Sequence, residues 1–358
     1  MQQGETAGAL QICEQLRSEG MADAAIHFLL GSIYGQLERY NEAITAFNDS
    51  LALKPGNALT HDSIGTAQAM LGNYREAELA FQHAARIKPD DTSILLKLAI
   101  ALHKQGKSSE SEHYLQQIIN LEPESSGALH ALGEIRYQQE RYQDAITYYT
   151  RALQIEPDRI DSNMQLGHCL LLKGMSLRAI ASFERVINLD PANINALNLL
   201  GHAYIYKGEP ENARTAFHKA LEISPDDLGA RIGEITVLER EQNQAAAYEL
   251  LKPIIDKGTR NPDLAEIFIR LCHRDNACEK AIEYASDILD NTVIPPQTRA
   301  RLHFSMGKLY DRKEQYDTAF SHYQSANTVS PLLYDPDSFK RFVDALIQAF
   351  NWQFLTSA

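Results

Sequence analysis

Apolar residues recur along most of the chain at the spacing of one face of a helix. Leu166, Leu170 and Leu171 lie in one such stretch, and Ala179 and Phe183 lie in the next. Intervals of three and four residues place these side chains along one side of an amphipathic α-helix. Short segments rich in polar residues, glycine and proline favour turns between the helices, at 38–41, 71–74, 140–143 and 208–211. The pattern predicts pairs of helices and no strand.

The helix pairs repeat with a period of 34 residues. A proline marks each period, at Pro55, Pro89, Pro123, Pro157, Pro191 and Pro225. The fixed φ of proline and its missing N–H suit the start of a helix, so we expect each proline to open the next pair. A strict period of this length predicts an array of repeats that is stabilised by contacts between neighbouring units, without one central core.

Three further positions in each period hold side chains of constant size. The residue 24 positions before each proline is small: Gly31, Gly65, Ala99, Gly133, Gly167 and Gly201. The residue 12 positions before it is also small: Ala43, Ala77, Ser111, Ala145, Ala179 and Ala213. The residue eight positions before it is large: Phe47, Phe81, Leu115, Tyr149, Phe183 and Phe217. We expect the large side chain to fill the space that the small residues leave.

This order of small, small, large and proline residues resembles the tetratricopeptide repeat (TPR) family. The resemblance implies an all-α, right-handed superhelical solenoid of about nine helix-turn-helix repeats with a C-terminal capping helix. We divide the chain into a partial repeat helix at 1–23, six regular repeats at 24–227, degenerate repeats at 228–299, a last repeat at 300–333, and a capping helix with a truncated linker at 334–358.

The degenerate segment keeps the helical pattern but loses the period. A proline is expected at Thr259, and Pro262 arrives three residues late. Cys272 follows Pro262 at the interval that separates Pro191 from Gly201, which predicts an intact first helix. Ala281 then comes about three residues early for the small position of the second helix, so we expect a shortened hinge between the two.

Charge and composition exclude some classes of function and location. The chain has 358 residues, a formal net charge of −13, no apolar run of membrane-spanning length and no secretory signal pattern. We therefore expect a cytoplasmic protein without a membrane segment; a bacterial origin is implied only by a resemblance of the closing segment, given below. The negative charge repels a phosphate backbone, so we expect no nucleic-acid partner. It favours a basic or amphipathic protein or peptide.

The residues that often carry chemistry fit structural roles. Four cysteines are too far apart for a disulfide framework or a common zinc spacing, and we expect thiols in the core at Cys13, Cys169, Cys272 and Cys278. In each of two histidine pairs the members lie one period apart: His27 with His61, and His168 with His202. This spacing indicates repeated packing positions. No catalytic or phosphate-binding motif stands out. We predict no catalytic residue, no cofactor and no metal, and hence no enzyme.

The TPR resemblance also implies a binding surface, because the first helix of each repeat lines the concave side of such arrays. In repeats four to six the expected groove residues are His130, Glu134, Tyr137, Met164, His168, Leu171, Leu172, Asn198, His202, Ile205 and Tyr206. Aromatic, methionine and polar side chains in one groove suit an extended peptide or a helix. Two readings stay open: these side chains bind a partner, or they pack between neighbouring helices.

The lysine and asparagine set with which some TPR proteins hold a C-terminal carboxylate is not matched. Phe28, Asp62, Leu96 and His130 occupy the place of its lysine. An adaptor for chaperone tails is therefore not expected.

The closing segment has a resemblance of its own. Residues 302–327, Tyr334-Asp335-Pro336 and 342–350 are similar to the last repeat and linker of bacterial TPR-containing sulfotransferases. That likeness implies a PAPS-dependent sulfotransferase domain in the same chain after Ala358, with repeats that recruit the acceptor. The chain also begins on half a repeat and ends on an apolar tail, so we expect the repeat region of a longer protein. The alternatives are thus a complete interaction scaffold and the non-catalytic region of a sulfotransferase.

Overall fold

The computed structural model describes residues 2–20, 23–272 and 275–329, and within these residues the chain forms nineteen α-helices and no strand. The prediction of an all-α chain of helix-turn-helix repeats is confirmed. The predicted capping helix at 334–358 lies outside the described residues. The chain separates into two compact units, with the division between Lys207 and Gly208. That division falls in the predicted hinge at 208–211; the finer division into regular, degenerate and final repeats stays a prediction.

The helices of the first unit are α1 (Gln2–Ser18), α2 (Ala24–Gln36), α3 (Tyr40–Leu53), α4 (Ala58–Met70), α5 (Tyr74–Ile87), α6 (Thr92–Lys104), α7 (Ser108–Leu121), α8 (Ser126–Gln138), α9 (Tyr142–Ile155), α10 (Ile160–Leu172), α11 (Ser176–Leu189) and α12 (Ile194–Lys207). The helices of the second unit are α13 (Pro210–Ile223), α14 (Leu228–Arg240), α15 (Gln244–Asp256), α16 (Pro262–Leu271), α17 (Asp275–Asn291), α18 (Pro296–Arg312) and α19 (Tyr316–Val329).

The predicted contact between a small and a large residue holds the two helices of a repeat together. A Cβ atom added to the glycine would lie 2.5 or 2.6 Å from the ring in the pairs Gly31 with Phe47, Gly65 with Phe81, Gly133 with Tyr149, Gly167 with Phe183, and Gly307 with Tyr323. Each ring therefore occupies the space of a missing side chain. The alanines of the second position are completely buried, from Ala43 to Ala213.

In the third repeat, different residues make the contact between the small and the large position. Ala99 replaces the glycine and Leu115 replaces the aromatic ring, and both are completely buried in one cluster. The smaller leucine leaves room for the extra methyl group of alanine. Ser111 occupies the second small position, and its hydroxyl donates a hydrogen bond of 2.7 Å to the carbonyl of Ala99.

The period prolines end helices and do not open them, which corrects the expectation from sequence. α3 ends at Leu53, two residues before Pro55, and α4 begins at Ala58, three residues after it. Lys54 has an extended φ of −140°, because a residue that precedes proline is driven out of the helical region. Asn57 caps α4 by accepting a hydrogen bond from the N–H of Leu59. Prolines outside the period do open helices, namely Pro210, Pro262 and Pro296.

Each described hinge contains one residue with left-handed backbone. These residues follow the 34-residue period: Glu38, Gly72, Gly106, Glu140, Gly174, Gly208 and Gln242. Glycine adopts this conformation without strain, whereas glutamate at 38 and 140 does so at φ values of 59° and 58°.

The shortened repeat of the second unit has a shorter first helix, and the hinge that follows it includes 273–274, which lie outside the described residues. α16 has 10 residues, whereas α14 has 13, and α16 ends at Leu271 before Cys272. The prediction of an intact first helix is therefore wrong. Ala281 is completely buried, in a cluster that also contains Cys272, Cys278 and Phe268. The predicted burial of all four cysteines is confirmed, and burial raises the pKa of the Cys169 thiol to about 11.

Candidate functional site

The predicted groove residues lie on the first helices of repeats four, five and six, which all belong to the first unit. His130, Glu134 and Tyr137 share one face of α8, because they are four and three residues apart. We call the surface of these three residues and their equivalents the first-helix face. The equivalents are Met164, His168 and Leu171 on α10, and Asn198, His202 and Ile205 on α12. The face also includes Leu172 and Tyr206, each of which follows the last of these positions on its helix.

The structure separates packing positions from accessible ones, which the sequence left open. His130 is buried, and its Nδ1 lies 2.9 Å from the hydroxyl of Ser162 in the next repeat. Ile205 is also buried. By contrast, Tyr206 is 66% exposed and Leu172 is 49% exposed. The remaining predicted residues are half-buried: Glu134, Tyr137, Met164, His168, Leu171, Asn198 and His202.

One contact joins two of the predicted residues across neighbouring repeats. The hydroxyl of Tyr137 lies 3.2 Å from Nδ1 of His168, and the two ring centroids are 5.6 Å apart. Tyr137 also contacts Tyr142 at the start of α9, with ring centroids 5.7 Å apart. The edges of α8 and α10 therefore share an aromatic surface that is partly open to a ligand.

Burial sets the charge of the histidines on this face. It lowers the pKa of His168, and it lowers the pKa of His130 more than the neighbouring Glu134 raises it. Both rings are therefore neutral at neutral pH. Nε2 of His130 lies 3.8 Å from the carboxylate of Glu134.

His103 is a residue of this region that the sequence reasoning missed. It lies on α6 one period before Tyr137, a register that could have found it. Its side chain is buried, and neither ring nitrogen has a hydrogen-bond partner among the described residues. Burial lowers the pKa of His103, while the charge of Glu134 opposes that shift. His103 thus lies within electrostatic reach of Glu134.

Exposed apolar side chains extend the first-helix face along the first unit. They occur on several first helices, as Leu59 and Met70 on α4, Ile100 on α6, Leu172 on α10 and Tyr206 on α12. Met70, Leu172 and Tyr206 share one register, in which Lys104 and Gln138 stand on the two helices between them. Separate large apolar side chains are normal on any surface, whereas several on one face can form a binding patch.

The described residues contain neither a metal-binding cluster nor a helix that could span a membrane. No group of three or more histidine, cysteine, aspartate or glutamate side chains there is arranged to hold a metal ion. Among the helices of that part of the chain, none has the length and apolar character needed to cross a bilayer.

Three family models match parts of the chain. The tetratricopeptide repeat model matches residues 24–57. The model of the cytochrome c-type biogenesis protein H TPR domain matches residues 62–159. The model of anaphase-promoting complex, cyclosome, subunit 3 matches residues 138–220. A comparison with curated proteins gives no significant match.

Solved structures share the fold at low sequence identity. A tetratricopeptide repeat protein from Parabacteroides merdae is 19% identical, with a TM-score of 0.59, over 71% of this chain and 97% of that one. The APC/C hetero-tetramer Cut9-Hcn1 is 23% identical, with a TM-score of 0.55, over 66% of this chain; the present chain spans only 46% of that one. The human IFIT1 dimer with PPP-AAAA is 17% identical, with a TM-score of 0.51, over 92% and 79% of the two chains. The chain thus contains tetratricopeptide repeats.

Proposed function

We propose that the chain is a protein-interaction scaffold, and that the first-helix face of repeats four to six binds a peptide or a helix of a partner protein. The observation that carries this proposal is the group of exposed or half-buried apolar side chains on the first helices of these repeats, namely Tyr137, Met164, Leu171, Leu172 and Tyr206. Leucine, methionine and tyrosine adapt to varied apolar side chains, and the neighbouring histidines and asparagine offer hydrogen bonds. The net charge of −13 favours a protein or peptide over a nucleic acid.

The test is a double substitution, Tyr137→Ala with Tyr206→Ala. Random peptides of roughly twelve residues, displayed on phage, would be selected on the wild-type chain. We expect the groove-binding peptides to lose affinity by about 1–4 kcal/mol in the double variant, as happens when aromatic anchors are truncated. A matched control replaces Leu79 and Leu177, which are exposed on the second helices α5 and α11, by alanine.

The two variants together locate the site. Peptides that bind the double variant as tightly as the wild type contradict the proposal, as do peptides that respond only to the control substitutions. Circular dichroism and thermal melting of both variants verify that they are folded.

A second candidate is the non-catalytic TPR region of a bacterial PAPS-dependent sulfotransferase, which would recruit the acceptor for sulfation. It is supported by the resemblance of residues 302–327, 334–336 and 342–350, of which those after 329 lie outside the described residues. None of the proteins reported above is a sulfotransferase. The coding sequence after Ala358 tests this candidate: a frame that continues into a strand and a phosphate-binding loop supports it, and an immediate stop codon contradicts it. Bacterial origin and a cytoplasmic location stay predictions.

A further inference from the structure

Glu134 differs from three other carboxylates of the first unit that are buried or half-buried. Asp62 is paired with Lys97 at 2.7 Å, Glu78 with Lys107 at 2.6 Å, and Glu112 with Arg136 at 2.7 Å. Among the described residues, Glu134 has no lysine or arginine partner, and the nearest ring nitrogen, Nε2 of His130, is 3.8 Å away. A carboxylate on an accessible face without a cation is a site of unbalanced negative charge.

Two buried polar side chains around Glu134 also lack partners. His103 is 6% exposed, and both of its ring nitrogens have no hydrogen-bond partner among the described residues. The hydroxyl of Tyr149 also has no hydrogen-bond partner among the described residues. Burial is the largest cause that raises the pKa of Tyr149, and the neighbouring Cys169 and Glu134 raise it further. Since buried polar groups are almost always hydrogen-bonded, these groups indicate a missing donor or acceptor at this place.

We propose that Glu134, His103 and His130 together receive one cationic side chain, a lysine or an arginine, of the segment that binds the first-helix face. This inference rests on the proposed function. An ammonium group has three donors and no acceptor, which matches a carboxylate flanked by neutral imidazoles that can each offer one acceptor nitrogen. A carboxylate ligand would be repelled by Glu134, and a neutral donor would leave its charge unbalanced.

The neighbouring side chains suit the rest of such a residue. Ile100 lies one turn before His103 on α6 and is 40% exposed, and Tyr137 lies one turn after Glu134 on α8. The methylene groups of a lysine or arginine pack on such apolar surfaces while the charged end reaches a carboxylate. The ring of Tyr137 adds a favourable face for a cation.

The same arrangement makes the binding depend on pH. Lys104 and Glu134 face His103, whereas Glu134, Arg159 and Asp161 face His130 together with the hydroxyl of Ser162 and the ring of Tyr149. Burial is the largest effect on the pKa of both histidines and lowers it, so both rings are neutral acceptors at neutral pH. Protonation on acidification neutralises Glu134 from within the protein and repels the incoming cation. The affinity for a basic segment must therefore fall as the pH falls.

The experiment is a double-mutant cycle on the full chain. Peptides selected at pH 7.5, as described above, are sorted by their loss of binding to the Tyr137→Ala, Tyr206→Ala variant. We expect this groove-dependent class to be enriched in lysine or arginine. For one such synthetic peptide, we expect lysine→glutamine in the peptide or Glu134→Gln in the chain to weaken binding about tenfold, and the two changes together to weaken it no further. Glu110→Gln, at an exposed position of α7, is the matched control and leaves the affinity unchanged.

The outcomes distinguish this inference from the proposed function. If groove-dependent peptides carry no basic residue, or bind Glu134→Gln as tightly as the wild type, the cation site is overturned and the groove remains. If no selected peptide depends on Tyr137 and Tyr206, both proposals fail. Between pH 7.5 and 5.5 we expect the wild-type affinity for the basic peptide to fall, and to fall less in His103→Gln. An affinity that rises on acidification also overturns the cation site.

Discussion

At the scale of single residues, the contact between a glycine and an aromatic ring fixes the spacing of the two helices in a repeat. The sequence predicts this contact well, because the two residues recur at a constant separation and differ in size in a complementary way. The pairs Gly133 with Tyr149 and Gly167 with Phe183 are found as expected. The third repeat shows why the rule concerns volume: Ala99 is tolerated where the partner is Leu115.

We predict that Gly167→Ala destabilises the chain by roughly 1–3 kcal/mol, because the added Cβ would lie 2.6 Å from the ring of Phe183. Adding Phe183→Leu should recover part of that loss, since the double variant has the residues of the third repeat. The free energy of unfolding in urea measures both changes. Gly35→Ala is the control: nothing lies within 4 Å of its Cβ position, so the loss of stability should be absent. Equal effects at Gly35 and Gly167 would contradict the packing argument.

Residues of the candidate site were less predictable than those of the core. The register in the sequence shows which helices carry the first-helix face. The exposure of the side chain at one register nevertheless differs from repeat to repeat, because it depends on the size of the side chains packed around it. His130 is buried, whereas Met164, one period later, is half-buried. His103 shares the register of Tyr137, but the register alone does not show that His103 is buried and without a hydrogen-bond partner, or that the charge of Glu134 in the next repeat affects it.

At the scale of elements, the hinge between two helices demands one residue with left-handed backbone. Hinges with Gly72, Gly106, Gly174 and Gly208 use glycine at this position, whereas those with Glu38, Glu140, Gln242 and Glu314 do not. The period in the sequence predicts where the hinge lies. It does not predict the left-handed backbone at Glu38 and Glu140, because glutamate, unlike glycine, has no preference for that conformation. The sequence also cannot tell a shorter α16 from a shorter hinge, because a deletion of three residues shifts the register equally from either position.

We predict that Glu140→Gly stabilises the first unit by about 0.4–1 kcal/mol, because glycine adopts a positive φ without steric cost. Glu279→Gly is the control, since this exposed residue lies inside α17, where glycine should cost about 1 kcal/mol. The difference in the urea midpoints of the two variants measures the effect. A loss of stability in Glu140→Gly would show that the glutamate side chain contributes more than the backbone strain removes.

At the scale of the whole molecule, the chain combines an array of repeats with a division into two compact units. The array is predictable from the period, because each repeat contacts mainly its neighbours and therefore repeats the same residues. The division between Lys207 and Gly208 is not predictable in this way. It depends on the density of contacts on either side, whereas the regular period continues through it as far as Pro225.

The buried histidines make the stability of the whole chain depend on pH. Burial lowers the pKa of His61, His103, His130, His168, His303 and His322 below the ordinary value of 6.5. The unfolded chain then binds protons before the folded chain does. Stability must therefore fall as the pH falls from about 6.5 towards the lowered pKa values of the folded state, below which this loss is complete. The bond from Arg136 lowers the pKa of Glu112, so acid below about 4.5 removes a further contribution.

We predict that the melting temperature is lower at pH 5.5 than at pH 7.5, a window in which carboxylates with lowered pKa values hardly titrate. His103→Leu should reduce that difference, because it removes one buried group that resists protonation and because Leu171 occupies the equivalent register of α10. His113→Leu is the matched control, since His113 is partly exposed on α7 and should leave the pH dependence unchanged. Thermal melts by circular dichroism at both pH values check the three chains. A wild-type melting temperature that stays constant or rises on acidification would mean that the buried rings are already charged in the folded protein.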